Sequence, residues 1–136
     1  MLKIVMDIDG TLCPTIKPGE EYSNLIPYEN ILEKLWVYKK SGAYIVLYTS
    51  RNMRTYNGNL GKINAITAKT LLTWLDKWNI PYDEIHYGKP WPGEDGFYVD
   101  DRTIRPAEFV NSSLEEIRRL LEKAKIHFIE NREENE

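Results

Sequence analysis

Two aspartates separated by one residue follow the first apolar run of the sequence. Asp7, Asp9, Gly10 and Thr11 form the pattern D-x-D-G-T. Side chains two residues apart on an extended segment point to the same side, so these carboxylates would repel each other unless a cation lies between them or one keeps a proton. A hard divalent cation resolves this repulsion. The alternative interpretation is a turn after a strand, in which Asp and Gly are favoured only as turn formers.

A second pair of carboxylates, Asp100 and Asp101, follows the apolar residues 97–99. Four carboxylates gathered at one edge of a sheet would be costly without a cation. Mg²⁺ prefers oxygen ligands and commonly binds through one or two carboxylates plus a substrate phosphate. The sequence therefore predicts Mg²⁺ as a cofactor. The alternative is that the two aspartates only cap the following turn beside Arg102.

Two further residues offer groups suited to a phosphate. Thr49 ends the second apolar run with a hydroxyl and a backbone N–H, and Lys89 in Gly88-Lys89-Pro90 carries a point charge. Taken singly, such residues are more typical of a turn and of a solvated side chain. Their order between the two carboxylate pairs favours a common site.

Other residues near these positions are candidates for contacts with a substrate. The stretch 51–62 is locally basic, with Arg51 and Arg54 and no acidic residue, so it could reach anionic parts of a substrate or be a solvated loop. Trp91, between two prolines beside Lys89, could form a wall of the site or pack its own turn.

Apolar runs and helical periodicity predict the elements that must position these residues. The predicted strands cover residues 2–8, 43–48, 84–87 and 97–99. The predicted helices cover residues 28–40, residues 64–78 and a C-terminal segment that begins at a capping box formed by Ser113 and Glu116. The buried face predicted for the second helix includes Ile66 and Trp74. Residues 12–27 contain three prolines and Gly19 and are predicted to form a loop or flap.

Strands that alternate with helices indicate an α/β fold, a three-layer sandwich around a central, mainly parallel sheet. Ligands of such folds bind outside the carboxyl ends of the strands, which is where every polar cluster named above falls. A length of 136 residues fits one domain, residues 1–136, and the polar residues 130–136 are predicted to be a frayed tail.

Composition narrows the class of partner. Hydrophobic residues make up 42% of the chain and charged residues 29%, which is ordinary for a globular protein. The net charge of -3 gives no electrostatic case for binding nucleic acid or an anionic membrane, so a small soluble partner is expected.

Cys13 is the only cysteine, so we expect no internal disulfide and a buried, unreactive thiol. The chain lacks a signal-peptide pattern and a membrane-spanning run, which predicts a cytoplasmic protein.

The order D-x-D-G-T, strand-ending Thr49, Lys89 and strand-ending Asp100-Asp101 resembles the four motifs of the haloacid dehalogenase (HAD) superfamily. The resemblance covers nearly the whole chain. The first and fourth motifs are specific, whereas the other two are single residues recognised by order and context. The stretches YTSRNMRTYNGNLGKIN, YDEIHYGKPW and GFYVDDRTIRP are further similar to a subgroup of HAD phosphatases associated with capsule and polysaccharide biosynthesis.

This resemblance implies a Rossmann-like core and a role for each matching residue. Asp7 would be the nucleophile that forms an aspartyl-phosphate, and Asp9 would be the general acid and then the general base. Thr49, the N–H of Ser50 and Lys89 would bind the phosphoryl oxygens. The metal ligands would be Asp7, the backbone carbonyl of Asp9, Asp100 and Asp101. Asp100 would bind the metal directly, and Asp101 would bind it directly or through water.

The gaps between the motifs are too short for a cap domain, so the resemblance is to capless members of the superfamily. Their open sites are often covered by a neighbouring subunit or accept bulky substrates, which leaves a homo-oligomer open. The expected activity is Mg²⁺-dependent hydrolysis of a small phosphorylated metabolite, such as a sugar phosphate or a sugar-derived alcohol phosphate. The alternatives are a phosphatase acting on nucleotides or nucleic-acid ends, and a non-catalytic phosphate-binding protein on the same fold.

Overall fold

The computed structural model describes the backbone of residues 1–134 and the side chains of residues 1–125. The chain forms two compact units, Met1–Trp91 and Pro92–Glu136. Each unit is described by itself below. The single domain expected from the chain length stays a prediction.

A parallel sheet of three strands organises the first unit. The strands are β1 (Lys3–Asp7), β2 (Tyr44–Thr49) and β3 (Glu84–Tyr87), in the order β1-β2-β3. Asp7 pairs with Tyr48, and Thr49 pairs with Tyr87, so the carboxyl ends of the strands meet at one edge. The predicted α/β class with a parallel sheet is confirmed, and the described residues contain no cap domain between the strands.

Helical segments connect the strands. Helix α1 (Glu29–Lys40) joins β1 to β2, and a continuous helical stretch joins β2 to β3 through α2 (Leu60–Lys62), a π-helical turn (Ile63–Thr67) and α3 (Ala68–Lys77). This stretch begins four residues before the predicted start of the helix at residue 64. Ile66, predicted to lie on the buried face, is 51% exposed. The π turn explains this difference, because its wider winding shifts the positions that face the core.

The core lies between the sheet and these helices. Its fully buried members include Ile8, Leu12, Leu35, Ile45, Leu47, Ile63, Leu71 and Leu75. Trp74 is buried as predicted, and its indole N–H donates to the carbonyl of Leu25 at 2.7 Å, which ties the segment 12–27 to α3. That segment contains one short 3₁₀ turn, Tyr22–Asn24, and otherwise has the loop character expected of it.

Two helices form the second unit, α4 (Pro106–Asn111) and α5 (Leu114–Glu134). The predicted capping box of α5 is confirmed, since the Glu116 N–H donates to Ser113 Oγ at 3.1 Å and the Ser113 N–H donates to Glu116 Oε1 at 3.3 Å. Sequence reasoning missed α4, although Pro106 at its start is a typical first residue of a helix. The predicted frayed tail is helical over residues 130–134, and residues 135 and 136 lie outside the described residues.

The strand predicted over residues 97–99 is wrong. These residues have no regular secondary structure, and the side chains of Phe97 and Val99 are 80% and 90% exposed. The preceding turn explains this, because the chain folds back at Gly96 until a Cβ there would lie 2.2 Å from the Pro92 carbonyl oxygen. Three apolar residues after so tight a turn are too few to specify a strand. In the described part of the chain, no helix is both long enough and apolar enough to cross a membrane.

Asp83 fixes the start of β3 against β2. Its Oδ2 accepts from the Ile45 N–H at 2.8 Å, and its own N–H donates to the Ile45 carbonyl at 2.8 Å. The Lys39 ammonium contacts Oδ1 at 2.7 Å. The hydrogen bond from Ile45 and then the interaction with Lys39 hold the pKa of Asp83 below its ordinary value of 3.8.

We expect Asp83→Asn to lower the thermal unfolding temperature at about pH 7, and the difference from wild type to shrink at about pH 3. A lowered carboxyl pKa contributes stability above the unfolded-state pKa, and this contribution is lost as the pH falls through the folded-state value. Thermal melts across this range measure it. Asp76→Asn, at an exposed position on α3, is the matched control; an equal effect at both positions would contradict the assignment.

Candidate active site

After β1 the chain turns sharply at the second half of the motif, directly after Asp9. The Ile8 carbonyl accepts from the N–H groups of Thr11, Leu12 and Cys13 at 2.8 to 3.2 Å. Gly10 has a φ of 88°, a left-handed conformation that glycine adopts without strain. The motif therefore includes a turn at the carboxyl edge of the sheet, and both aspartates are only partly exposed.

Asp7 lies between a hydroxyl and an ammonium group. Thr11 Oγ1 donates to Asp7 Oδ2 at 3.1 Å, and Lys89 Nζ is 3.5 Å from Asp7 Oδ1. Burial raises the pKa of Asp7 above its ordinary value, and Lys89 and the Thr11 hydrogen bond oppose this rise, while Asp9 adds to it. The carboxylate that we predicted as the nucleophile is thus paired with the lysine that we predicted to bind phosphate.

Backbone geometry brings Lys89 to this position. Its N–H donates to the Thr49 carbonyl at 3.1 Å, which continues the pairing of β2 with β3 past the end of the strand. Gly88 has a φ of 83°, and a Cβ at this position would lie 2.5 Å from Leu60 Cδ2. Only glycine fits here without strain or a shift of Leu60.

Asp9 is held by the guanidinium of Arg51. Arg51 Nε donates to Asp9 Oδ2 at 3.0 Å, and Nη2 donates to Oδ1 at 2.8 Å. This bidentate geometry is the strongest arrangement of the two groups. The ring of Tyr22 lies against the guanidinium, 4.2 Å from its carbon to the ring centroid. Arg51 is 4% exposed, so the solvated loop considered from the sequence is wrong at this residue.

The structure places the remaining candidates of the first unit as follows. Thr49 is buried, and its Oγ1 accepts from the Arg51 N–H at 3.0 Å, so Thr49 lies beside the Asp9 pair. Ser50 follows it and is half-buried. The Arg54 guanidinium lies 5.7 Å from the centroid of the Trp91 ring, so these two predicted recognition residues contact each other.

The second carboxylate pair lies in the second unit, where both side chains are exposed. Asp100 Oδ1 accepts from the Arg102 N–H at 2.9 Å, which is the turn-capping contact weighed as the alternative to metal binding. This hydrogen bond leaves the second oxygen of Asp100 for another partner, so capping and metal binding are compatible.

The donor set of the first unit contributes only part of a magnesium site. Asp7 and the backbone carbonyl of Asp9 are oxygen donors of the kind that Mg²⁺ prefers. Both oxygens of the Asp9 carboxylate are already occupied by Arg51. Within the described residues, no group of three or more Asp, Glu, His or Cys side chains is close enough to hold a metal ion. The predicted site of four carboxylates therefore stays a prediction.

The first unit thus defines a class of protein with a parallel α/β fold. At the carboxyl edge of its sheet, one aspartate is paired with a lysine and another with an arginine. The sequence matches no family model and no curated protein. A crystal structure of an MCSG target protein from Vibrio cholerae is 50% identical, with 90% of this chain and 98% of that chain covered and a TM-score of 0.85. The chain belongs to the same family as this Vibrio cholerae protein.

Two other solved structures are less similar to this chain. One is a phosphatase, and the other belongs to a complex. A D,D-heptose 1,7-bisphosphate phosphatase from B. bronchiseptica, complexed with magnesium and phosphate, is 18% identical over 70% of this chain and 54% of that chain, with a TM-score of 0.47. A chain of the Pnkp1/Rnl/Hen1 complex is 20% identical over 81% of this chain and 34% of that chain, with a TM-score of 0.46. TM-scores below 0.5 are too low to show a common fold.

Sequence reasoning missed two contacts of the site. Arg51 was identified as a candidate for substrate contact, but its pairing with Asp9 was not foreseen, and neither was the contact with Tyr22. Arg51 follows Thr49 by two residues at a strand end, and this spacing points both side chains the same way. The spacing could have indicated that Arg51 reaches the site and pairs with Asp9. Tyr22 lies in an irregular segment, where the sequence carries no signal for a distant contact.

Cys13 is buried beneath this site as expected. Burial, together with the nearby Asp9 carboxylate, raises the pKa of the thiol to about 12. The thiolate is the reactive form of cysteine, so both the burial of Cys13 and its raised pKa protect it from reaction.

We expect Cys13 in the native protein to resist a thiol reagent at about pH 8 and to react fully once the chain is unfolded in guanidinium. Ellman's reagent gives the measurement. The variant Glu122→Cys, which adds a thiol at an exposed position of α5, should show one fast-reacting group. Fast reaction of Cys13 in the native wild type would contradict its burial.

Proposed function

We propose that this chain is a Mg²⁺-dependent phosphomonoester hydrolase of the HAD superfamily that works through an aspartyl-phosphate on Asp7. The observation that carries the proposal is the position of Asp7 at the carboxyl edge of the sheet, between Thr11 and Lys89. The motif order that resembles the superfamily supports the same assignment.

In the first step, a carboxylate oxygen of Asp7 attacks phosphorus in line with the ester oxygen, so an O–P bond to Asp7 forms as the bond to the leaving group breaks. Asp9 supplies a proton to the leaving oxygen. Lys89 favours the ionised form of Asp7, which opposes the effect of burial on its pKa, and the lysine also neutralises charge on the phosphoryl oxygens.

In the second step, water attacks the phosphorus of the aspartyl-phosphate, and the bond to Asp7 breaks with release of inorganic phosphate. Asp9 takes the proton from this water and is thereby returned to its starting state. The Thr49 hydroxyl accepts from the Arg51 N–H, so its own proton is left to donate to a phosphoryl oxygen, beside the N–H of Ser50.

Asp7, the backbone carbonyl of Asp9, and the carboxylates of Asp100 and Asp101 are the residues that would hold Mg²⁺. When bound, Mg²⁺ supplies positive charge that offsets the negative charge of the phosphate oxygens.

The proposed substrate is a small phosphorylated metabolite, a sugar phosphate or a sugar-derived alcohol phosphate, with a place in capsule or polysaccharide biosynthesis. Arg54 and Trp91, whose guanidinium carbon and ring centroid lie 5.7 Å apart, are the proposed recognition surface for the rest of the substrate. The cytoplasm is the proposed location.

We expect wild-type protein to release phosphate from members of a panel of sugar phosphates, polyol phosphates and nucleotides when Mg²⁺ is present and not when EDTA is present. Asp7→Asn should lower turnover by at least about 1,000-fold, because the nucleophile is lost. Preference for nucleotides would favour the nucleotide-phosphatase alternative. Absence of turnover on the whole panel, together with retained binding of inorganic phosphate, would favour the non-catalytic binding protein.

Gly88→Ala tests the link between the backbone before Lys89 and activity. We expect it to lower stability by about 1 to 2 kcal/mol, the cost of a left-handed conformation for alanine. It should also reduce kcat/KM, because Lys89 follows directly. Gly42→Ala is the matched control, since Gly42 has a φ of 98° and open space around it, away from these residues. A similar stability loss with unchanged kcat/KM is expected there; equal kinetic losses in both variants would refute the link.

A further inference from the structure

The Arg51 guanidinium is more confined than the side chain of a residue that only contacts substrate needs to be. Its side chain is 1% exposed, against 20% for the side chain of Asp9. The backbone N–H of Arg51 donates to Thr49 Oγ1, and the ring of Tyr22 covers one face of the guanidinium. A side chain held by its backbone, its face and two of its nitrogens has little freedom to reach for a ligand.

Two of the three guanidinium nitrogens are committed to Asp9. Nε and Nη2 each donate to a different carboxylate oxygen, at 3.0 and 2.8 Å. The third nitrogen, Nη1, is buried and has no hydrogen-bond partner among the described residues. The guanidinium is therefore fixed by Asp9 and Tyr22, and its orientation in turn fixes the plane of the Asp9 carboxylate.

We infer that Arg51 is the positioning residue of Asp9, and that Tyr22 holds Arg51 in place. This inference rests on the proposed function, in which Asp9 handles the proton of the leaving group. The guanidinium fork offers two parallel N–H donors that fit the two oxygens of Asp9 in one orientation. This fixes the plane of the Asp9 carboxyl group and hence the direction in which it meets the leaving oxygen, which proton transfer in the transition state requires.

The dependence on the leaving group separates this role from a merely structural one. An alkyl phosphate has a basic leaving oxygen that needs protonation as the bond breaks, whereas an aryl phosphate such as p-nitrophenyl phosphate has a leaving group that departs without it. The quantity to compare is kcat/KM, which reports events up to the first irreversible step and so covers formation of the aspartyl-phosphate.

The experiment measures kcat/KM with Mg²⁺ on p-nitrophenyl phosphate and on an alkyl phosphate that the wild type hydrolyses. Asp9→Asn should lose roughly 100-fold or more on the alkyl ester and much less on the aryl ester, as expected for loss of a general acid. Arg51→Lys keeps the charge but loses the bidentate fork. We expect it to lose at least about tenfold more in kcat/KM on the alkyl than on the aryl ester.

Two further variants complete the test. Tyr22→Leu removes the ring beneath the guanidinium and should shift the same ratio in the same direction by a smaller factor. Arg119→Lys makes the same chemical change at an exposed arginine of α5 and should leave the ratio unchanged. Circular dichroism establishes whether each variant is folded.

Equal losses of kcat/KM on both esters in folded Arg51→Lys would overturn the inference. Failure of both Arg51→Lys and Tyr22→Leu to fold would assign these residues to stability and would also overturn it. Absence of turnover by the wild type, or full activity of Asp7→Asn, would instead overturn the proposed function, so the two failures are distinguishable.

Discussion

The parallel pairing of β2 with both of its neighbours is the constraint on which the site depends. Asp7 ends β1, Thr49 ends β2 and Lys89 follows β3, and the register places these three chain positions side by side at one edge. The residues are far apart in the sequence, so only the sheet brings them together. A slip of the register would move one strand end along its neighbour and separate Asp7 from Lys89.

Charge pairing completes what the sheet begins. Each aspartate of the motif has its own cation, Lys89 at Asp7 and Arg51 at Asp9. The repulsion between the two neighbouring carboxylates is thus offset in part by the chain itself. The two pairs differ in kind. The Lys89 contact is single and 3.5 Å long, whereas the Arg51 contact is bidentate and buried, so the first can adapt to a ligand and the second favours one fixed geometry.

The sequence predicted the parts of this arrangement that follow from local pattern. Apolar runs located β1, β2 and β3, and polar residues at their ends located Asp7, Thr49 and Lys89. It failed where tertiary contacts outweigh the pattern. Residues 97–99 have the composition of a strand but follow a turn too tight to extend, and the burial of Arg51 depends on Tyr22, 29 positions earlier in an irregular segment, for which no periodicity exists.

The balance of charges changes the reason for expecting a metal. Two carboxylates and two cations leave the site in the first unit without net charge. A phosphate monoester brings a charge of about -1.5 to -2 at neutral pH. Accommodating it there would require further positive charge, because Lys89 and Arg51 are each already paired with an aspartate. The need for Mg²⁺ would therefore come more from the charge of the proposed substrate than from repulsion between the two aspartates.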